Sequence, residues 1–285
     1  MSKCLNEISI DNLYKKPKLT KFENKDLLIF SLLTFKREIG QTESHKFMFL
    51  AFAESHIELP FKFAKNKYGP FSRALQTEIE DIQDKGLIEI TPKPVHDYSK
   101  KIIVLSSKGK KKLREEYEEI EKISHKLKRI FEQYSDYNAT ALVKYCYNEY
   151  MLRSKGKKIL EWETERKSKI NELNLLNRSL MNEFSNLEYN ENKKILICTS
   201  LDYISKILEN PMLFEIDEVI SGVFIKNIEI YLNNWNKISI FSKEQNNLGI
   251  DKFIKENNEI FLFLNKLAGD YNVAESIFDE EPCIN

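Results

Sequence analysis

Three chain breaks between Lys67 and Leu113 fix an order of helix, hairpin, helix. Tyr68-Gly69-Pro70-Phe71-Ser72 opens a segment in which Phe71, Leu75, Ile79 and Ile82 recur at three- and four-residue spacing. That spacing makes one buried stripe on a helix. Pro70 suits a first helical position, and Lys85-Gly86 ends the segment as a C-terminal glycine does. Residues 87–91 and 101–105 read as two short strands, with Pro92, Pro94 and polar residues forming the hairpin tip. Leu105-Ser106-Ser107-Lys108-Gly109, followed by Leu113, leaves the second strand. It starts a charged helix, capped by Ser106 or Ser107, that runs to about Lys128. This is the order of a winged helix, a unit that offers surface rather than reactivity.

The flanking sequence predicts more helix. Residues 26–38 are densely apolar and too long for an ordinary strand, with Asp26 as N-cap and Gly40 as stop. Thr42 is a cap for a second helix carrying Phe47, Met48, Phe49 and Leu50, and Phe61 and Phe63 mark a short extended piece. A helix with Leu142, Val143, Tyr145, Cys146 and Tyr150 follows a break at Asp136 to Asn138. Lys155-Gly156 is a hinge. Beyond it, Ile170, Leu173, Leu176, Leu180, Phe184 and Leu187 keep a three-four seam on a long helix over about 157–188. Such a seam packs in an intramolecular helix hairpin or, alternatively, in a homodimer. Residues 195–208, 213–236 and 250–267 read as helices, although 195–198 also fits a strand.

The expected fold is therefore mainly α. Residues 1–24 are a polar lead-in, 25–154 a winged helix-turn-helix domain with a two-stranded wing, and 155–285 an α-helical domain. Lys plus Arg number 44 and Asp plus Glu 44, so no global field draws the chain to nucleic acid or membrane. No apolar run is long enough to span a bilayer and no signal peptide is recognisable, which places the chain in the cytoplasm. The four cysteines (Cys4, Cys146, Cys198 and Cys283) are scattered and read as free thiols.

Residues 26–150 resemble the Panacea (SocA-like antitoxin) domain family and a looser set of phage-associated winged-helix proteins. The matching residues are Thr42 with Lys46 and Phe49-Leu50, then Tyr68, Gly69, Pro70, Phe71 and Ser72, then Gly86-Leu87-Ile88. Leu105 with Gly109, and Leu142-Val143-Lys144-Tyr145 with Tyr147 and Tyr150, complete the match. The resemblance implies regulation: binding a protein partner such as a toxin encoded nearby, or binding DNA. It covers nothing after about Leu160.

Two readings of the surface compete. Lys65, Lys67, Arg73, Lys93, Lys100 and Lys101 are candidate nucleic-acid contacts around the helix over 71–85 and its wing. Glu78, Glu80, Asp81 and Asp84 on that helix would meet phosphates and be repelled. Tyr137, Tyr145, Tyr147 and Tyr150 are candidate partner contacts, since tyrosine buries large area while keeping a polar tip. Packing tyrosines with outward hydroxyls are the plainer alternative. His45, His56, His96 and His125 never pair at metal-ligand spacing, no glycine loop cradles phosphate, and no nucleophile elbow occurs. The sequence predicts a non-catalytic binding module with no cofactor and no metal.

Overall fold

A computed structural model describes residues 21–95, 98–186, 191–243 and 250–273 of the chain. Most of the expected polar lead-in, the hairpin tip at His96 and the acidic tail from Glu275 lie outside the described residues. Contacts divide the chain into two compact units between Leu152 and Arg153. It is mainly helical, with small antiparallel sheets.

In the first unit, α1 (Lys25–Phe35) leads to β1 (Glu38–Gly40) and α2 (Gln41–Ser55). A hairpin of β2 (Ala64–Asn66) and β3 (Gly69–Phe71) precedes α3 (Arg73–Asp84). Then come β4 (Ile88–Val95), β5 (Tyr98–Leu105), α4 (Ser107–Glu115), α5 (Tyr117–Gln133) and α6 (Ala139–Glu149). The cap of α1 is Asn24, whose side chain accepts the Leu27 N–H, rather than Asp26. Gly40 does not stop that helix. It ends β1, a strand too short to show a period of two, and it pairs with Ile102. Gly40 also replaces Thr42 as the N-cap of α2, where the Glu43 carboxylate accepts the Gly40 N–H at 2.8 Å.

The three-stranded sheet runs β1-β5-β4, all antiparallel, with Ile103 between Ile39 and Ile90. The strands of the hairpin are longer than the sequence suggests. Pro92 and Pro94 lie within β4, opposite Lys101 and Ser99. Because β4 is an edge strand, a missing proline N–H on its free side costs no ladder bond.

The core of this unit is made by α1, α2, α3 and α5. Phe30, Phe47, Phe49, Leu75, Ile79, Leu127 and Phe131 are all fully buried. The strand-to-helix turn at Ser106 shows why its sequence is restricted. Ser106 Oγ accepts the Gly109 N–H and donates to the Gly86 carbonyl. A Cβ on Gly109 would lie 1.9 Å from the Leu87 carbonyl oxygen, a backbone atom that cannot step aside.

In the second unit, α7 (Ile159–Asn186) packs on α8 (Glu191–Glu209) and on α10 (Glu218–Lys243). A short α9 (Met212–Glu215) precedes α10, and α11 (Ile250–Asp270) packs on α10. Residues 195–198 are helical. The buried stripe of α7 is Arg166, Ile170, Leu173, Asn177, Leu180 and Phe184, so Asn177 takes the place expected for Leu176. This stripe is used inside the chain. Asn177 donates to the Leu201 carbonyl at 2.9 Å, and the Phe184 ring meets Trp235 edge-on.

Candidate functional site

The segment Tyr68 to Ser72 is built from the backbone outward. The β2–β3 pairing aligns Lys65 with Pro70 and Asn66 with Gly69, leaving Lys67 and Tyr68 as the turn. Gly69 has φ +84°, which disfavours any side chain, and an added Cβ would sit 3.3 Å from the Tyr147 ring. The Pro70 carbonyl accepts a 2.5 Å hydrogen bond from Lys46 Nζ. The Phe71 ring stacks on His45, with centroids 4.3 Å apart. Ser72 caps α3, its Oγ accepting the Leu75 N–H, while its own N–H donates to His45 Nδ1 at 3.2 Å.

His45 and Lys46 are each 2% exposed. With Nδ1 an acceptor, the His45 proton sits on Nε2, 3.4 Å from Gln76 Oε1. Burial holds the imidazole neutral, with its pKa down at about 4. Gln76 Oε1 also accepts from Gln41 Nε2 at 2.6 Å, and Gln76 Nε2 donates to Glu80. A polar chain therefore runs from the start of α2 to the outer face of α3.

These residues line an indentation of about 200 Å³ that includes Gln41, Thr42, His45, Lys46, Asn66, Tyr68 and Gln76. It adjoins a larger cleft of about 750 Å³, lined by Gln41, Thr42, Tyr68, Lys100, Lys101, Ala139, Thr140 and Val143. Gln41 and Thr42 open α2, and Ala139 and Thr140 open α6, so two helix N-termini border the cleft. Helix N-termini carry unpaired N–H groups and partial positive charge.

The six candidate nucleic-acid contacts differ in their partners and exposure. Lys93 is paired with Glu38 at 2.8 Å and Lys100 with Glu43 at 2.7 Å. Burial works against ionisation of Glu43, but hydrogen bonds from Lys100 and the Gly40 N–H hold its pKa low. Lys67 lies 5.1 Å from the Tyr68 ring centroid, and Lys65 is half-buried on β2. Arg73 is exposed at the start of α3 beside Thr77, Glu80, Asp81 and Asp84 on the same outer face. Lys101 is exposed and has no hydrogen-bond or ion-pair partner among the described residues.

The tyrosine group also separates. Tyr150 is fully buried, so it cannot serve as a partner contact. Its hydroxyl donates to Glu54 Oε1 at 2.9 Å, where the Tyr145 hydroxyl also donates at 3.0 Å. The Tyr134 hydroxyl lies 2.7 Å from Glu54 Oε2. Burial, then the Glu54 charge, pushes all three phenols up, so they stay protonated donors. One carboxylate thus ties α2 to α6 and to the end of α5. Tyr147 packs by Gly69 and its hydroxyl donates to the Lys67 carbonyl, leaving Tyr137, at 37% exposed, as the open member.

Sequence reasoning missed Glu54 entirely, and it found Lys46 only through the resemblance. The signal for Lys46 was present: it interrupts the apolar face made by Phe49 and Leu50, one helical turn on. Among the described residues no cluster of His, Cys, Asp and Glu is arranged to hold a metal, and no helix is long and apolar enough to cross a membrane. Comparison of the chain with family models, curated proteins and solved structures found no match.

Proposed function

We propose that residues 20–152 are a winged-helix module of the antitoxin-like, phage-associated kind, acting in the cytoplasm by binding a protein partner without catalysis. The order α1, β1, α2, α3, β4, β5 and the β1-β5-β4 sheet support the winged-helix reading, with β2–β3 as an insertion before α3. The resemblance to the Panacea family supports the regulatory role.

The observation that carries the choice of partner is the exposed face of α3. In a winged helix this face would enter the major groove. Here it presents Glu80, Asp81 and Asp84 against the single cation Arg73. Three carboxylates among phosphates are repelled, while the same face complements a basic protein surface.

The test is co-expression with the product of the neighbouring gene, followed by size-exclusion chromatography. The reading expects a complex that survives moderate salt and is lost when Glu80, Asp81 and Asp84 are changed to Lys. Random duplex DNA should bind no better than to an unrelated neutral protein. The runner-up is a DNA-binding regulator led by the wing, which the unpartnered Lys101 favours. It expects duplex binding that falls by orders of magnitude with salt and weakens in Lys101→Ala.

A further inference from the structure

We propose that the cleft beside β5 and the start of α2 binds a small molecule carrying a phosphate group on a planar ring. Lys46, in the small indentation that adjoins this cleft, and Lys101 are its cationic contacts, and Tyr68, which borders both, is its stacking surface. This goes beyond the choice of macromolecular partner and does not depend on it.

Lys46 is the observation that demands an anion. Its side chain is 98% buried by exposure, since only 2% of its surface remains accessible. An ammonium has three donors, and among the described residues this one gives a single hydrogen bond, to the neutral Pro70 carbonyl. No carboxylate pairs with it among the described residues. The neighbouring Cys146 offers no counter-charge, because burial pushes its thiol up to about 12. Burial draws the Lys46 pKa down to about 8, which still leaves the group mostly charged at neutral pH. A buried charge without a counter-ion is destabilising, and methionine would fill the same space without that cost. The fold therefore holds a cation against its own stability, at the wall of the indentation that adjoins the cleft.

The rest of the cleft matches an oxyanion attached to a ring. Lys101 is exposed and unpaired, whereas Lys100 is already neutralised by Glu43. The opening turn of α6 carries no acidic residue and adds a positive helix end, whereas that of α2 is already faced by Glu43. Two cations and one helix end exceed what one carboxylate neutralises, which favours a phosphate dianion. Tyr68 is 55% exposed at the same cleft, an aromatic face available for stacking. The volume of about 750 Å³ falls in the range of small-molecule sites, roughly 300–1,000 Å³.

The experiment is calorimetric titration of the full chain with inorganic phosphate, AMP, adenosine and citrate. Circular dichroism melts of the unliganded variants accompany it. The proposal expects AMP to bind most tightly, phosphate more weakly, and adenosine and citrate least. Lys101→Ala should weaken AMP and phosphate at least tenfold. Tyr68→Ala should weaken AMP while leaving phosphate unchanged. Lys46→Met should abolish anion binding while the empty protein melts at or above the parent. Failure of both phosphate and AMP to bind at millimolar concentration overturns the proposal. So does binding that all three variants retain, or citrate outcompeting AMP. If Lys46→Met does not fold, Lys46 is structural and its role in the proposal falls. The Lys101 and Tyr68 variants then decide whether the cleft binds at all.

Discussion

At the scale of single residues, His45 shows how one side chain serves two neighbours. Its ring stacks on Phe71, and its Nδ1 takes the N–H of the residue that caps α3. Protonating Nδ1 would remove that acceptor and place a charge beside the buried Lys46. The folded pKa of about 4 lies below the ordinary 6.5, chiefly through burial, with Lys46 adding to it and the Gln76 contact opposing. The unfolded chain therefore binds more protons between these values, so stability rises with pH across that window. It is complete above about 6.5 and is lost as pH falls toward 4. The full effect is on the order of 3 kcal/mol for a group this buried. Urea titrations from pH 7 to pH 4 should show the loss in the parent. His45→Asn keeps an acceptor that does not titrate, so its profile should be flatter. Parallel profiles would mean that other groups carry the acid sensitivity.

At the scale of elements, the boundaries that sequence reading found are those set by local chemistry, although Pro70, expected at the first helical position, lies in β3 and α3 starts after Ser72. Gly86 has φ +69° and ends α3 as expected. Ser106 caps α4, and the stripe of Leu75, Ile79 and Ile82 is buried. What was hidden depends on residues far apart in sequence. β1 exists because Ile39 pairs with Ile103, and the α2 cap is fixed by Glu43 under Lys100. The cleft is assembled from β5, α6 and the start of α2, an arrangement no single stretch encodes.

The seam of α7 carries the same lesson, since Asn177 and Leu176 compete for one position and only partners on α8 decide it. Asn177 is fully buried and donates to the Leu201 carbonyl. Asn177→Asp would lose that donor and bury a carboxylate, a cost of about 3 kcal/mol or more at neutral pH. The aspartate pKa would be raised in the folded state, so its penalty should shrink as pH falls and the group protonates. Asn177→Leu should cost roughly 1–3 kcal/mol at both pH values, since leucine is the larger side chain at a fully buried site and cannot replace the hydrogen bond to Leu201. Denaturation midpoints at pH 7 and pH 5 measure both. An aspartate variant as stable as the parent at pH 7 would place residue 177 on the surface rather than in the seam.

At the scale of the whole molecule, the division after Leu152 separates the two tryptophans from the first unit. Trp162 and Trp235 both lie in the second. Tryptophan fluorescence therefore follows only the α7–α11 unit, whereas far-ultraviolet circular dichroism follows helices in both. Leu75 is fully buried beneath α3 in the first unit. Leu75→Asp places a carboxylate in that core and should cost several kcal/mol, enough to unfold a unit of ordinary stability. If each unit folds on its own core, the variant loses part of its circular dichroism before any denaturant is added. Its fluorescence transition should keep the parent midpoint. A fluorescence transition shifted together with the loss of helix would show that the second unit draws its stability from the first. The chain would then unfold as one cooperative body rather than two.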